Sequence, residues 1–361
     1  MDDKKYWLGF SGFPGIGPAR FRKLLEKFGT AKTAWEAPKS SLGKLIGEDT
    51  AEKFEKFRKE FSIENYLKQL KEKDVWFVTL KDEEYPELLA QIKNPPYVLY
   101  GKGDPSTLFV RSGPSVAVVG ARKTTQYGRE VTKLLTTELV LNGFTIVSGL
   151  ALGVDAISHM TALENNGKTI AVLGCGVDCC NPAENQSIYN SILQSGNCII
   201  SEFPLGMKPA KWTFPARNRI IAGLSMGVLV TEGTEDSGSL ITAQFALKFG
   251  RKVFAVPGPI TSTMSKGPYK LIAKGAKLVT TAEDILKDLR LKINDLGIKK
   301  IKRQGDTKEE EIILKLLENE ALHFDEIVRR AKFNPSKLGS LLSLMEIKGM
   351  IKSLDGGMFS V

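Results

Sequence analysis

The chain has 361 residues, 42% of them hydrophobic, and a formal net charge of +10 with a pI near 9.2. That length suits two or three domains with a sizeable core, and the excess of positive charge favours a polyanionic partner. The four cysteines, at 175, 179, 180 and 198, lack the spacing of a disulfide framework or a zinc site, and no apolar run nears the roughly 18 residues of a membrane span.

In chain order, the first organised stretch runs from Phe10 to Gly29. Gly15-Ile16-Gly17 sets a tight turn, Pro18 starts a helix and Gly29 ends it. This is the grammar of a SAM-like, helix-hairpin-helix element. Such hairpins grip phosphates through backbone amides and nearby cations, here Arg20, Arg22 and Lys23. The same turn serves equally well for helix packing alone. A second helical pattern covers Thr50 to Lys71, with Phe54, Phe57 and Phe61 on a core-facing side. Val75 to Leu80 reads as a short strand. Tyr85-Pro86 and Asn94-Pro95-Pro96 then break the pattern. Residues 1–80 therefore read as a helical domain and 81–112 as a linker.

Over residues 113–290, short β-branched runs alternate with helical windows. Strands are expected at 116–119, 145–148, 169–173, 198–200, 227–230, 252–256 and 277–279. Helices are expected at 126–142, 154–166, 185–195, 215–224, 238–249, 266–274 and 282–290. The alternation predicts an α/β fold, a Rossmann-like doubly wound and mostly parallel sheet. Ligands of such sheets bind beyond the carboxyl ends of the strands. The loops there carry glycines, hydroxyls and cations: Gly120 to Thr125, Ser148 to Asp155, Gly174 to Asp178, Ser201 to Pro204, Thr231 to Ser239 and Pro257-Gly258. Together they point to a phosphate-bearing ligand. Neither a Gly-x-Gly-x-x-Gly fingerprint nor a P-loop follows a strand, which disfavours NAD and ATP. No cofactor and no metal is expected, and the cysteines read as reduced core residues.

Residues 214–225, Phe-Pro-Ala-Arg-Asn-Arg-Ile-Ile-Ala-Gly-Leu-Ser, place Arg217, Asn218 and Arg219 near a helix start. Cations at that positive end of a helix call for an anion. The competing reading pairs the arginines with Glu202 or Glu232. Lys211 and Phe214 add a cation and a π-face, as single-strand binding requires. Trp212 is expected to pack beneath the loop. Ser237 and Ser239 read as helix-capping residues that also serve as phosphate donors. Among acids, Glu202, Glu232, Asp155 and Asp178 are expected to cap helices or fix arginines, and His159 to be charge-paired or packed. No catalytic residue is expected. The enzymatic alternative is a nucleotide N-glycosidase of the lysine decarboxylase-like Rossmann group, with Glu232 beside a Gly-Thr loop. The phosphate loop of that group is absent before Glu232.

The tail opens with a lysine-rich linker, 291–306. Helices are expected from Thr307 to Glu318, from His323 and from Ser336 to Lys348. Asp355-Gly356-Gly357 then marks a hairpin turn. Three helices and a β-wing make 307–361 a winged-helix pattern. Its third helix carries only Lys337 and Lys348 as cations, which favours packing or protein contact over a DNA groove.

The central domain resembles the DprA/Smf family of DNA-processing proteins of bacterial transformation. The resemblance rests on Gly120-x-Arg122, Tyr127-Gly128, Ser148-Gly-Leu-Ala-x-Gly-Val-Asp155, Gly174-x-Gly-x-Asp178, Ser201-Glu-x-Pro204, Phe214 to Ser225, Ser237-Gly-Ser-Leu-Ile-Thr242 and Val256-Pro-Gly258. It implies a cytoplasmic, non-catalytic protein that binds single-stranded DNA, protects it and loads the RecA recombinase onto it. It implies DNA contacts from Arg122, Lys211, Phe214, Arg217, Asn218 and Arg219, to which the reading of the rim loops adds Lys123, Ser237 and Ser239. It also implies a homodimer, with Met264, Leu271 and Ile272 in the region of the interface. Where the family has Tyr-Pro after the Gly-x-Gly-x-Asp loop, this chain has Asn181-Pro182.

Overall fold

Pro18 and Gly29 punctuate the start of the chain as their chemistry requires. The computed structural model describes residues 3–108, 113–291, 307–317, 320–347, 350–354 and 356–360. Its contacts divide the chain into two units, Met1–Gly297 and Ile298–Val361. Six helices open the first: α1 (Lys4–Ser11), α2 (Pro18–Phe28), α3 (Ala31–Glu36), α4 (Lys39–Ile46), α5 (Glu48–Glu60) and α6 (Ile63–Glu72). Pro18 occupies the first turn of α2, and Gly29 closes it at φ +77° with its amide on the Leu25 carbonyl. The pattern expected over 50–71 is two helices, not one. Phe61 is extended, and the Ser62 side chain accepts from the Asn65 amide at 3.2 Å, restarting the helix as α6. The core of these helices is aromatic. Phe10, Phe21 and Phe54 are buried, and Phe10 stacks on Phe54 with centroids 5.0 Å apart.

The sheet elements follow: β1 (Trp76–Thr79), α7 (Glu87–Ala90), β2 (Val98–Gly103), β3 (Ser115–Val119), α8 (Gln126–Leu141), β4 (Thr145–Ser148) and α9 (Val154–Glu164). Then come β5 (Thr169–Val172), α10 (Gln186–Gln194), β6 (Cys198–Ser201), α11 (Thr213–Gly223), β7 (Gly227–Val230) and α12 (Gly238–Lys248). Finally β8 (Lys252–Ala255), α13 (Lys266–Ala273), β9 (Lys277–Leu278) and α14 (Ala282–Asp288) complete the unit. The strand order is β1-β2-β6-β5-β4-β3-β7-β8-β9. From β6 to β9 every pairing is parallel, as expected of buried apolar runs with helices on both faces. The order reverses between β3 and β7, where the fold opens its binding crevice.

Residues 81–112, expected as a linker, instead supply a strand. β2 pairs antiparallel with β6 from Tyr100 against Ser201 to Gly103 against Cys198, and with β1 on its other side. Residues 109–112 lie outside the described residues. Pro95 and Pro96 stand just before β2, where they break nothing. The hairpin also reaches back: Val75, Tyr97, Val98 and Tyr100 join the aromatic core of the helices.

The second unit holds α15 (Lys308–Leu317), β10 (Leu322–His323), α16 (Phe324–Ala331), α17 (Pro335–Ile347), β11 (Lys352–Leu354) and β12 (Met358–Ser360). Its three strands pair antiparallel in the order β10-β12-β11 around a core that includes Ile313, Ile327, Leu342 and Met345. This is a winged-helix fold. Lys337 of α17 is paired with Glu309, and Arg329 and Arg330 of α16 with Glu326. Of the expected linker 291–306, residues 292–306 lie outside the described residues, as do Lys348 and Asp355.

Candidate nucleic-acid interface

At the β3/β7 switch point a cleft of about 570 Å³ opens at the carboxyl ends of the strands. Three segments supply most of its lining: the loop after β3 with Arg122 and Lys123, the entry to α11 with Lys211, Phe214 and Asn218, and the start of α12 with Ser237 and Ser239; Ala151, Asp155, Thr234 and Met264 complete it. The Arg122 guanidinium lies over the Phe214 ring, 5.6 Å from its centroid. Arg122, Lys123 and Lys211 are all exposed, and none has a carboxylate partner among the described residues. The cleft therefore presents uncompensated positive charge beside an aromatic face. The α12 end that faces it is capped from within: the Ser237 hydroxyl accepts from the Ser239 amide at 3.4 Å and lies 2.8 Å from the Ser239 hydroxyl.

Two of the expected clamps, Arg217 and Arg219, are held by partners within the protein. Arg217 is buried, with 5% of its surface exposed, and forms the floor of the cleft. Its guanidinium donates to the carbonyls of Gly149 and, at 2.7 Å, Val172, and its Nε to Asn218 Oδ1 at 3.1 Å. A Cβ on Gly149 would collide with that guanidinium, so this glycine makes room for an arginine and not for a ligand. Asp155 faces the same group and accepts from the amides of Gly149 at 3.1 Å and Ala151 at 3.4 Å. Burial pushes the Asp155 carboxyl above its usual range, opposed by Arg217 and the two amides. Arg219 takes the competing reading: it pairs with Glu202 and donates to the Asn94 carbonyl at 3.0 Å. Asn218 ties α11 to α12 by donating to the Gly238 carbonyl at 3.3 Å.

Glu232 is a cap. Its two oxygens accept from the Thr125 amide and hydroxyl, each at 2.8 Å, at the positive end of α8. A Cβ on Gly128 would strike this carboxylate. Trp212 departs from expectation. It does not pack beneath the loop but is 55% exposed, edge-on to Phe203 with centroids 5.5 Å apart. The neighbouring Thr213 takes the interior place. Of the expected interface residues, Leu271 is buried in the sheet's own core, Ile272 packs half-buried against it, and Met264 lines the cleft. Ile241 and Thr242 also line the cleft, missed in the sequence although they stand three and four residues after Gly238 on one helix face. Cys175 and Cys198 are buried, and no group of His, Cys, Asp and Glu that could hold a metal occurs among the described residues. No described helix is long and apolar enough to cross a membrane.

His159 is packed, as expected. The Thr169 hydroxyl donates to the Ile146 carbonyl at 3.0 Å, so it accepts the proton of His159 Nδ1 across 2.7 Å. Burial drives the imidazole pKa down to about 3. An unfolded histidine titrates near 6.5. The unfolded chain therefore takes the proton first as pH falls, and stability is lost from about pH 6.5 to about pH 3, by at most about 5 kcal/mol. Urea unfolding at a series of pH values checks this. The difference in stability between the wild type and His159→Gln should narrow as pH falls through that window and stay level above it.

The sheet order, its reversal and the attached helices define a Rossmann-like doubly wound α/β protein, joined in one chain to a winged-helix unit. The family model described as DNA recombination-mediator protein A matches residues 76–290, from β1 onward, and the DprA winged helix domain matches 302–357. The chain belongs to the DprA/Smf family. Protein Smf of Synechocystis sp. is 40% identical over 293 residues, 80% of this chain and 73% of that one. Protein Smf of Escherichia coli is 36% identical over 335 residues, 90% of this chain and 88% of that one. Among solved structures, DNA processing protein A of Streptococcus pneumoniae matches with a TM-score of 0.68 at 36% identity, over 80% of this chain and 98% of the other. DNA processing protein A of Helicobacter pylori, described for its single-stranded DNA binding mode, matches with a TM-score of 0.53 at 33% identity, over 59% and 95%.

Proposed function

We propose that this protein binds single-stranded DNA in the cleft at the β3/β7 switch point and acts there without catalysis. The observation that carries the reading is Arg122 over the Phe214 ring, flanked by Lys123 and Lys211 without counter-charges. Cations hold the backbone and the ring offers a face to a base, a combination that tolerates any sequence. The H. pylori relative is described as binding single-stranded DNA, which supports the same ligand here. Ser237 and Ser239 serve as phosphate donors once the strand is seated. In this reading the protein works in the cytoplasm as a homodimer, protects incoming strands and loads RecA onto them during transformation and recombination. That part rests on the family. Fluorescence anisotropy with single- and double-stranded oligonucleotides across a salt series tests the ligand. Tighter binding of single strands, with affinity falling steeply in salt, is expected. Equal affinity for both forms would remove the reading.

The N-glycosidase alternative asks Glu232 to act as an acid or base. Its carboxylate is instead held by Thr125 at the head of α8. Glu232→Gln is expected to cost about 1–3 kcal/mol of stability, since the NH2 that replaces one oxygen cannot accept from the Thr125 donor facing it. Wild type and variant should both leave nucleoside monophosphates intact in an assay for base release. Base release by the wild type alone would restore the enzymatic reading.

A further inference from the structure

A second basic groove, of about 760 Å³, lies at the other end of α12. Its walls come from three places: Gly17 to Arg20 at the head of α2, Lys93 and Asn94 before β2, and Phe245, Lys248 and Phe249 at the end of α12. Arg219 forms part of it, already paired with Glu202. Arg20, Lys93 and Lys248 are exposed, and none has a carboxylate partner among the described residues. Arg20 also donates from its guanidinium to the Gly15 carbonyl at 2.8 Å, which holds that end of the side chain against the hairpin turn. Among the described residues, no acidic residue lines the groove. Phe245 and Phe249 are half-buried and stack with centroids 5.8 Å apart, and Lys248 stands 5.7 Å over the Phe245 ring.

The two cavities share one helix face. Gly238, Ile241 and Thr242 line the first; Phe245, Lys248 and Phe249 line the second. These positions follow the three- and four-residue spacing of a single stripe. With 11 residues, α12 is about 16 Å long and borders both cavities. Consecutive residues of α11 divide likewise: Asn218 lines the first cavity and Arg219 the second.

We infer that the groove between the α2 hairpin and the end of α12 holds the continuing sugar–phosphate backbone of a single strand seated in the cleft. The inference rests on the single-strand reading above and extends it along α12. A run of cations without an acid in its lining selects a polyanion, and its place on the same face of α12 as the cleft selects the same strand. The strand would leave the Phe214 face, follow the α12 stripe and meet Lys248, Lys93 and Arg20 in turn.

Anisotropy with oligothymidylates of about five and about sixteen nucleotides separates the two sites, since single-strand sites span about 4–16 nucleotides. Lys93→Gln with Lys248→Gln should leave the short oligomer's affinity within about twofold of wild type. The long oligomer should lose roughly 10- to 30-fold at 0.1 M salt, and its salt slope should fall by about 1.4 for two phosphates. Lys93→Arg with Lys248→Arg should restore the long-oligomer affinity. Wild-type affinity and slope for the long oligomer in the glutamine variant would overturn the inference. Equal losses for both lengths would also overturn it, as would a loss confined to duplex DNA, which assigns the groove to another ligand. Arg122→Ala with Lys211→Ala serves as the control. If that variant binds the short oligomer like wild type, the cleft reading itself fails, whatever the groove does.

Discussion

Arg217→Ala is expected to lower the unfolding free energy by about 3–5 kcal/mol, the range for removing one partner of a buried ionic cluster. The guanidinium bridges the Gly149 and Val172 carbonyls and faces Asp155 across the floor of the cleft. Alanine would leave both carbonyls unpaired and Asp155 without its counter-charge. At roughly 2–4 °C per kcal/mol for a unit of this size, the melting temperature should fall by about 6–20 °C. Arg217→Lys should recover only part of the loss, because one ammonium cannot reproduce the planar fork. Calorimetry of the three proteins checks this. A variant that melts like wild type but no longer binds DNA would make Arg217 a direct contact and refute its structural role.

The second large effect concerns affinity without stability. Arg122→Ala with Lys211→Ala should weaken single-strand binding roughly 25-fold at 0.1 M salt and reduce the salt slope by about 1.4. Both side chains are exposed, so the melting temperature should hold. Phe214→Leu keeps the bulk of the ring but removes its π-face. It should cost about 1–3 kcal/mol of binding for one stacked base. An unaltered affinity in Phe214→Leu would mean that no base rests on that ring.

Much of this was legible in the sequence, for identifiable reasons. The strands β3 to β8 are buried over most of their length, so each is a short hydrophobic run bounded by loop residues, and the runs could be read one by one. Residues 81–112 were not legible because two prolines precede β2 and its partner β6 stands about 100 residues further on. Pairing at that distance leaves no local period. The placement of Arg217 was hidden for a related reason. Its partners Gly149 and Val172 contribute backbone carbonyls, and a carbonyl has no side-chain signature. Glu202 was a visible partner for Arg219 because it is a carboxylate. Trp212 was misplaced because a turn before α11 decides which neighbour points inward, and it turns Thr213 inward instead.

The antiparallel junction between β2 and β6 has a consequence for how this chain emerges from the ribosome. The β1–β2 hairpin can settle early, because Tyr97, Val98 and Tyr100 pack on helices already made. Its outer edge, Tyr100 to Gly103, must then wait for residues 198–201. At about 5–20 residues per second, that interval lasts roughly 5–20 s. During it the nascent chain presents an unpaired strand edge to its surroundings, a template for pairing with the wrong partner. Lys102 stands on that edge, and a lysine there discourages a second copy from adding on.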